Sequence, residues 1–278
     1  MSRELVLGGL VLAVCGWLLP LCGLLPVPAP EEGSGVDLER RAWRRLWAPA
    51  LPAGLALFVF LGWALQEPGR SDEPLAAWAL VVVAPVALVW LRAAARAVHS
   101  LVLARGQHLA ATVGLWRPRV VIDPAFHQAL DAASAEAMRA HEEAHVRHRD
   151  PARVWLAQLA TDLQWPAPAA PRRLTDWSTA LELARDEEAR GLGVRGEDLA
   201  AAILAAARLR RHSAGAVATL TGAGEALRRR IDRLLAPLLP ASPRRPLHVA
   251  AALVGAAAMV VGVTWGDVLI RCLPMVSR

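Results

Sequence analysis

Apolar and polar positions divide this chain into two kinds of stretch. Toward its ends run long uncharged segments, residues 5–28, 46–66, 74–91 and 249–266, each close to the roughly 20 residues that carry a helix across a bilayer. They predict four transmembrane helices. Trp47 and Trp63 flank the second, and Trp90 with Arg92 closes the third, where interfacial aromatics and arginines belong. The first run follows Arg3 as a signal peptide would, but it is long and lacks an A-x-A cleavage site, so a retained span is expected. The division is 1–91 with three spans, 92–245 as one central domain, and 246–278 with the fourth span and a short tail.

Inside 92–245 the period changes. Arg92–Ala104 continues the third span as a helix, and the stretch after the first span, with Arg40, Arg41, Arg44 and Arg45, reads as a polar loop. Leu109–Val113 and Arg119–Ile122 read as two short strands around a turn from Gly114 to Pro118, with Asp123-Pro124 as the stop. Ser134 is a suitable N-cap for the next helix, with Glu136 in its first turn. That helix stops at Asp150-Pro151, where Asp as cap and Pro at the first helical position open a helix carrying Trp155, Leu159 and Leu163. A proline-rich turn over Trp165–Pro171 precedes a helix expected from about Asp176 to Gly191. Helical patterns over 197–210 and 217–235 complete the domain.

Composition sharpens the membrane reading. The chain is 55% hydrophobic and only 20% charged, with a mean hydropathy of +0.34, too apolar for an ordinary soluble domain. All 31 basic side chains are arginine, and the pI is near 10.8. That charge could suggest nucleic acid, but the arginines sit beside apolar runs, are mixed with acids, and come with no groove-reading motif; no nucleic-acid partner is expected. Their bias puts the first loop and the central domain in the cytoplasm of a multi-pass plasma-membrane protein, with both termini outside. Cys15, Cys22 and Cys272 have no metal-ligand spacing and read as small apolar-segment residues.

Chemistry enters with Ala140-His-Glu-Glu-Ala-His145, an HExxH sequence. Four residues apart on a helix, His141 and His145 point the same way and can reach one zinc ion, with Glu142 beside them to act on water. Glu143 is one residue off that azimuth and is expected to point away. A catalytic zinc needs a third protein ligand. Glu182-Leu-Ala-Arg-Asp186 stacks two acids on one helix face: Glu182 could ligate and Asp186 could orient a ligand imidazole. Equally, with Glu187 and Glu188 beside them, they could form a solvated acidic face.

HEEAH, Asp150 five residues after its second His, Trp165 with its prolines, the ExxxD helix and the late Arg229-Arg-Ile-Asp-Arg-Leu-Leu235 run together resemble BlaR/MecR-type membrane metallopeptidases. The resemblance covers about 270 residues. It implies a mainly α polytopic protein with a cytoplasmic α+β gluzincin (zincin-like) domain between the third and fourth transmembrane helices. It also implies His141, His145 and Glu182 as zinc ligands, Glu142 as catalytic base, Asp186 behind a ligand and Asp150 as a structural residue near the site. About a dozen residues follow Gly266 and none forms an SxxK motif, so direct antibiotic sensing by this polypeptide is not expected.

The expected activity is peptide hydrolysis by zinc-activated water, on a protein or peptide substrate such as a transcriptional repressor. Having no Tyr, the chain would need His, Arg or backbone N–H to stabilise an oxyanion, with His108, His127 and His148 as candidates. The strand at Val120 could pair with extended substrate. Two other readings stand beside this one: an HtpX-like quality-control protease, usually with fewer spans before the motif, and a non-enzymatic membrane scaffold with a structural metal site, which would have no use for Glu142.

Overall fold

The computed structural model describes residues 16–24, 33–64, 77–103, 109–213, 220–240, 242 and 254–264. Residues 16–23 (α1) are helical, followed by α2 (Gly35–Trp47), α3 (Ala50–Ala64) and α4 (Ala77–Leu103). Then come β1 (Ala110–Val113), β2 (Arg119–Ile122), the short α5 (Pro124–Gln128), α6 (Ala132–Arg147), α7 (Asp150–Leu163), α8 (Ala169–Gly191), α9 (Gly196–Ser213) and α10 (Leu220–Leu235). Residues 254–264 form α11.

The strands fall where the alternation placed them. They pair antiparallel, with Thr112 opposite Val120, around a turn in which Gly114 has φ +103 and a Cβ would strike the carbonyl of Arg117. Two apolar clusters hold the domain together, and both use α8. Trp177, Leu181 and Leu183 pack with Leu38, Ala42 and Leu46 of α2 and Ala157 and Ala160 of α7. Ala189 joins Phe126, Met138, Leu199, Ile203 and Leu234, which brings in α5, α6, α9 and α10. Because α8 is gripped on two sides, the acids it carries are fixed relative to α6.

Several local expectations need correction. The motif helix starts three residues earlier than a Ser134 cap would allow. Asp131 is the cap: its Oδ1 accepts from Ser134 N at 2.8 Å, and Ser134 Oγ donates to its Oδ2 at 3.1 Å. Asp131 can thus satisfy the first-turn amide directly while the serine hydroxyl merely steadies it. Asp150 does not cap α7; it is the helix's first residue, preceded by Arg149 in the left-handed region at φ 52, and its carboxylate turns elsewhere. α8 begins at Ala169 rather than Asp176, because Pro171 sits in its first turn, where a missing N–H costs nothing. The stretch expected as a polar loop is helix α2. Ser34 caps it, and Leu38, Ala42 and Leu46 form an apolar stripe with the four-residue spacing of a helix face.

Of the expected spans, the first lies mostly outside the described residues and shows α1. The second is broken by a turn at 48–49 and continues as the 15-residue α3. The third shows residues 77–91 in α4, which runs through Pro85 and on past Arg92, and the fourth shows α11. Among the described residues, no helix is long and apolar enough to cross a membrane. α4 is tied to α7 by Arg92 and Arg96, 3.3 and 2.8 Å from Asp162 Oδ1, and by Trp155 Nε1 donating to the carbonyl of Ala97 at 3.2 Å.

Candidate metal centre

Four residues apart on α6, His141 and His145 are both buried, with ring centroids 4.8 Å apart and their Nε2 atoms separated by 3.2 Å. Glu182 of α8 completes a triangle: its Oε2 is 3.5 Å from His141 Nε2 and its Oε1 3.6 Å from His145 Nε2. One ligand atom from each of the three lies within 4.8 Å of the others, so these side chains could hold a metal ion. The ExxxD pair is therefore turned inward rather than forming a solvated face. Glu143, as expected, is exposed.

Behind each imidazole stands a buried aspartate. His145 Nδ1 is 2.8 Å from Asp150 Oδ2, and His141 Nδ1 is 2.9 Å from Asp186 Oδ1; the second contact is short but poorly aligned as a hydrogen bond. Burial opposes charge on Asp150, yet hydrogen bonds from His145 and Arg185 hold its carboxyl far below the usual range. Asp186 is likewise lowered against burial, chiefly by Arg230 and then by His141. Each Nδ1 faces a carboxylate, and the two Nε2 atoms face one another across the space beside Glu182. Such a pair repels unless a proton or a cation stands between them. Burial opposes charge on His141, but Asp186 and Glu182 push its pKa up to about 9.

Arginines grip the carboxylates in turn. Arg185 donates to Asp150 through Nε (2.5 Å) and Nη2 (3.0 Å), and Arg153 Nη1 donates to Asp150 Oδ1 at 3.0 Å. On the other side Arg230, from α10, meets Asp186 bidentately at 2.8 Å through Nε and Nη2, while its Nη1 is 2.9 Å from Glu182 Oε2. Burial works against the Glu182 charge, but Arg230 first and the imidazoles next hold that carboxyl far below its ordinary value.

Glu142 faces a cavity of about 610 Å³ shared with His141, His145, Glu182 and Arg230 and lined on its apolar side by Met138, Val154 and Ile203. Thr112 of β1 reaches it: the hydroxyl lies 3.0 Å from Glu142 Oε2 and 2.9 Å from the Glu142 carbonyl, and donates its single proton to one at a time. A second cavity, about 630 Å³, lies between α2 and α8 on the far side of Arg185 and contains none of these ligand atoms.

The sequence did not assign roles to Arg230, Thr112, Arg185 or Arg153. Arg230 lay within the quoted Arg229–Leu235 run, and its one available signal was a cation on the inner face of an amphipathic last helix. The histidines considered as oxyanion donors are elsewhere. His148 pairs with Glu188 at 2.8 Å, His127 is exposed on α5, and His108 lies outside the described residues.

No curated protein and no solved structure matches the chain. Residues 87–234, which include every side chain of this centre from Thr112 to Arg230, match the family described as BlaR1 peptidase M56. That is more than half of the sequence, and the chain belongs to this family of metallopeptidases.

Proposed function

We propose that the chain is a membrane-held zinc endopeptidase that cuts a cytoplasmic or membrane-proximal protein. The observation carrying this reading is the convergence of His141, His145 and Glu182 in one cleft with Glu142. Two imidazole nitrogens and a carboxylate are a zinc donor set, and bond lengths of about 2.0–2.1 Å around a tetrahedral ion imply ligand–ligand edges of about 3.3 Å. The edge between the two imidazoles, 3.2 Å, is of that size, and the Glu182 carboxylate sets one oxygen 3.5 Å from His141 Nε2 and the other 3.6 Å from His145 Nε2, with one ligand atom of each residue within 4.8 Å of the others. Glu142 lies outside the triangle, as a base should.

Zinc bound there would act as a Lewis acid that acidifies water and polarises a carbonyl. The remaining work falls to the chain's own side chains. The Thr112 hydroxyl holds Glu142 Oε2 and leaves Oε1 to take the proton of the attacking water and return it to the leaving amine. Arg230 spends three of its five N–H groups on Asp186 and Glu182, and the two others can meet a substrate carbonyl in the cavity, a part first considered for histidine. Met138, Val154 and Ile203 favour an apolar substrate side chain, and the neighbouring hairpin can pair with extended peptide.

Membrane attachment is supported by the four uncharged runs and by how their described parts pack. Leu51 and Phe58 on α3, Leu88 and Leu91 on α4, and Val260 on α11 are exposed apolar side chains of the kind a bilayer covers. α3 and α11 approach through glycines: a Cβ on Gly62 would meet the carbonyl of Met259 at 2.2 Å, and one on Gly262 that of Val59 at 1.9 Å. Close backbone contact at small residues is how helices associate in lipid. The arginine bias puts the site on the cytoplasmic side, where a transcriptional repressor would be within reach. The test is hydrolysis of a fluorogenic peptide library by the purified full chain with zinc. Wild type should cleave and Glu142→Gln should lose about 1,000-fold, within the range of a lost general base; equal rates would end the proposal.

A further inference from the structure

Helix α2 lies outside the family-matched segment 87–234, yet its seat on α8 is built closely enough to matter to the centre. At its N-terminus Gly35 N donates to Glu187 Oε2 at 2.6 Å, and a Cβ on Gly35 would strike the backbone of Leu183 at 2.7 Å. One turn on, the apolar stripe of Leu38, Ala42 and Leu46 is joined by an acid, Glu39, which is only 7% exposed.

A buried carboxylate needs compensation, and Glu39 finds it in two places. Trp177 Nε1 donates to its Oε1 at 3.1 Å, and Arg153 Nη2 pairs with the same oxygen. The Arg153 guanidinium lies against a pair of packed indoles, 4.9 Å from the Trp43 ring and 5.6 Å from that of Trp177. Its other nitrogen, Nη1, donates to Asp150 Oδ1, and Asp150 Oδ2 accepts from His145 Nδ1. The planar fork of an arginine transmits direction as well as charge: with one arm fixed by Glu39, the other is aimed at Asp150.

We propose that Glu39 is a positioning residue for His145, acting through Arg153 and Asp150, so that the seating of α2 on α8 sets how tightly the centre holds its cation. This rests on the reading of His141, His145 and Glu182 as metal ligands. Without the Glu39 charge, Arg153 is shared with no other acid among its described contacts and is free to draw on Asp150. The Asp150 oxygen then holds His145 Nδ1 less firmly, and the ring loses its fixed orientation. The catalytic domain thereby depends on a segment that comes before the third apolar run, and a change in how α2 is held would be felt at the metal.

The experiment is a competition titration of zinc against a chromogenic chelator on the full-length detergent-solubilised chain, with the absorption spectrum of the Co²⁺ form as a second readout. Glu39→Gln keeps the shape and an oxygen for Trp177 but removes the charge. It should weaken zinc binding about 10-fold, as loss of a supporting partner does, and shift the Co²⁺ bands, while metal-free helix content stays at the wild-type value. Arg153→Lys, which keeps a charge but loses the fork, should lose a similar factor, and the double variant should be no weaker than the weaker single. Wild-type affinity and spectrum in Glu39→Gln, or losses that multiply in the double variant, would overturn the proposal. His141→Ala separates the two levels. Wild-type zinc binding in that variant rejects the ligand assignment itself, whereas loss there with Glu39→Gln unchanged rejects only the link.

Discussion

The two imidazoles of this centre are backed by the same device built from different parts. On the His145 side, Asp150 begins the very next helix and is held by Arg185 and Arg153, so most of the support comes from residues close to the motif in sequence or on the central helix α8. On the His141 side, Asp186 is held by Arg230 alone among the described contacts, and Arg230 comes from α10, the last helix of the domain. The first arm is closed by local chain geometry, including the left-handed Arg149 that turns Asp150 back toward His145. The second closes only when α10 docks. The difference teaches that the His145 arm shares its load between two arginines, from α7 and α8, while the His141 arm rests on one arginine from the last helix of the domain.

The sharpest way to break this comparison is to neutralise each aspartate. Asp150→Asn leaves the buried Arg185, Arg153 and His145 without their common counter-charge and should cost about 3–5 kcal/mol of stability, the scale of a broken buried ion pair. Asp186→Asn leaves Arg230 with Glu182, so it should cost less than half as much while still lowering zinc affinity by about 10-fold or more. Denaturant unfolding of the metal-free chains checks the pair, and equal losses would remove the asymmetry. Arg230→Met comes next. It strands two carboxylates and should destabilise the metal-free chain by about 3 kcal/mol, the low end for a broken buried pair, with zinc restoring more than half of that because the ion supplies the missing positive charge; thermal unfolding with and without zinc reads it.

The His141 arm should also carry a pH signature. In the metal-free chain its pKa is raised above the ordinary 6.5 to about 9, so the protonated ring contributes stability that is complete below about pH 6.5 and disappears as pH rises through 9. Zinc competes with that proton, and its apparent affinity should therefore climb across the same window and level off above it. Zinc titrations from pH 6 to 9.5 measure this, and a flat profile would contradict the assignment. The mildest change is Arg149→Gly, which relieves a left-handed residue at the expense of chain entropy and should raise stability by about 0.5 kcal/mol in denaturant titrations.

How much of this was legible in the sequence depends on how far apart the partners lie. HEEAH and Glu182-x-x-x-Asp186 are helical spacings, so their shared faces followed from periodicity alone, and the strands at 110–113 and 119–122 followed from alternation. Thr112 on Glu142, Arg230 on Asp186 and Glu39 on Arg153 join residues 30, 44 and 114 positions apart, and no local pattern specifies such pairings. α2 is a different case. Leu38, Ala42 and Leu46 are spaced for a helix, but four nearby arginines made the stretch read as loop, because solvated charge on the outer face masks the apolar stripe on the inner one. Ser134 was read as the cap from its residue type; the cap is Asp131, which the turn after α5 leaves extended at ψ 164.

The central claim is that His141, His145 and Glu182 bind one zinc ion together. The most direct test is metal content of the purified full-length chain beside Glu182→Ala, measured by mass spectrometry after dialysis against trace zinc. The account predicts one zinc per wild-type chain and a loss of at least about 100-fold in affinity when the third ligand is removed, beyond what a supporting residue would cost. A wild-type chain that retains no zinc, or a Glu182→Ala chain that retains it as firmly, would contradict the account.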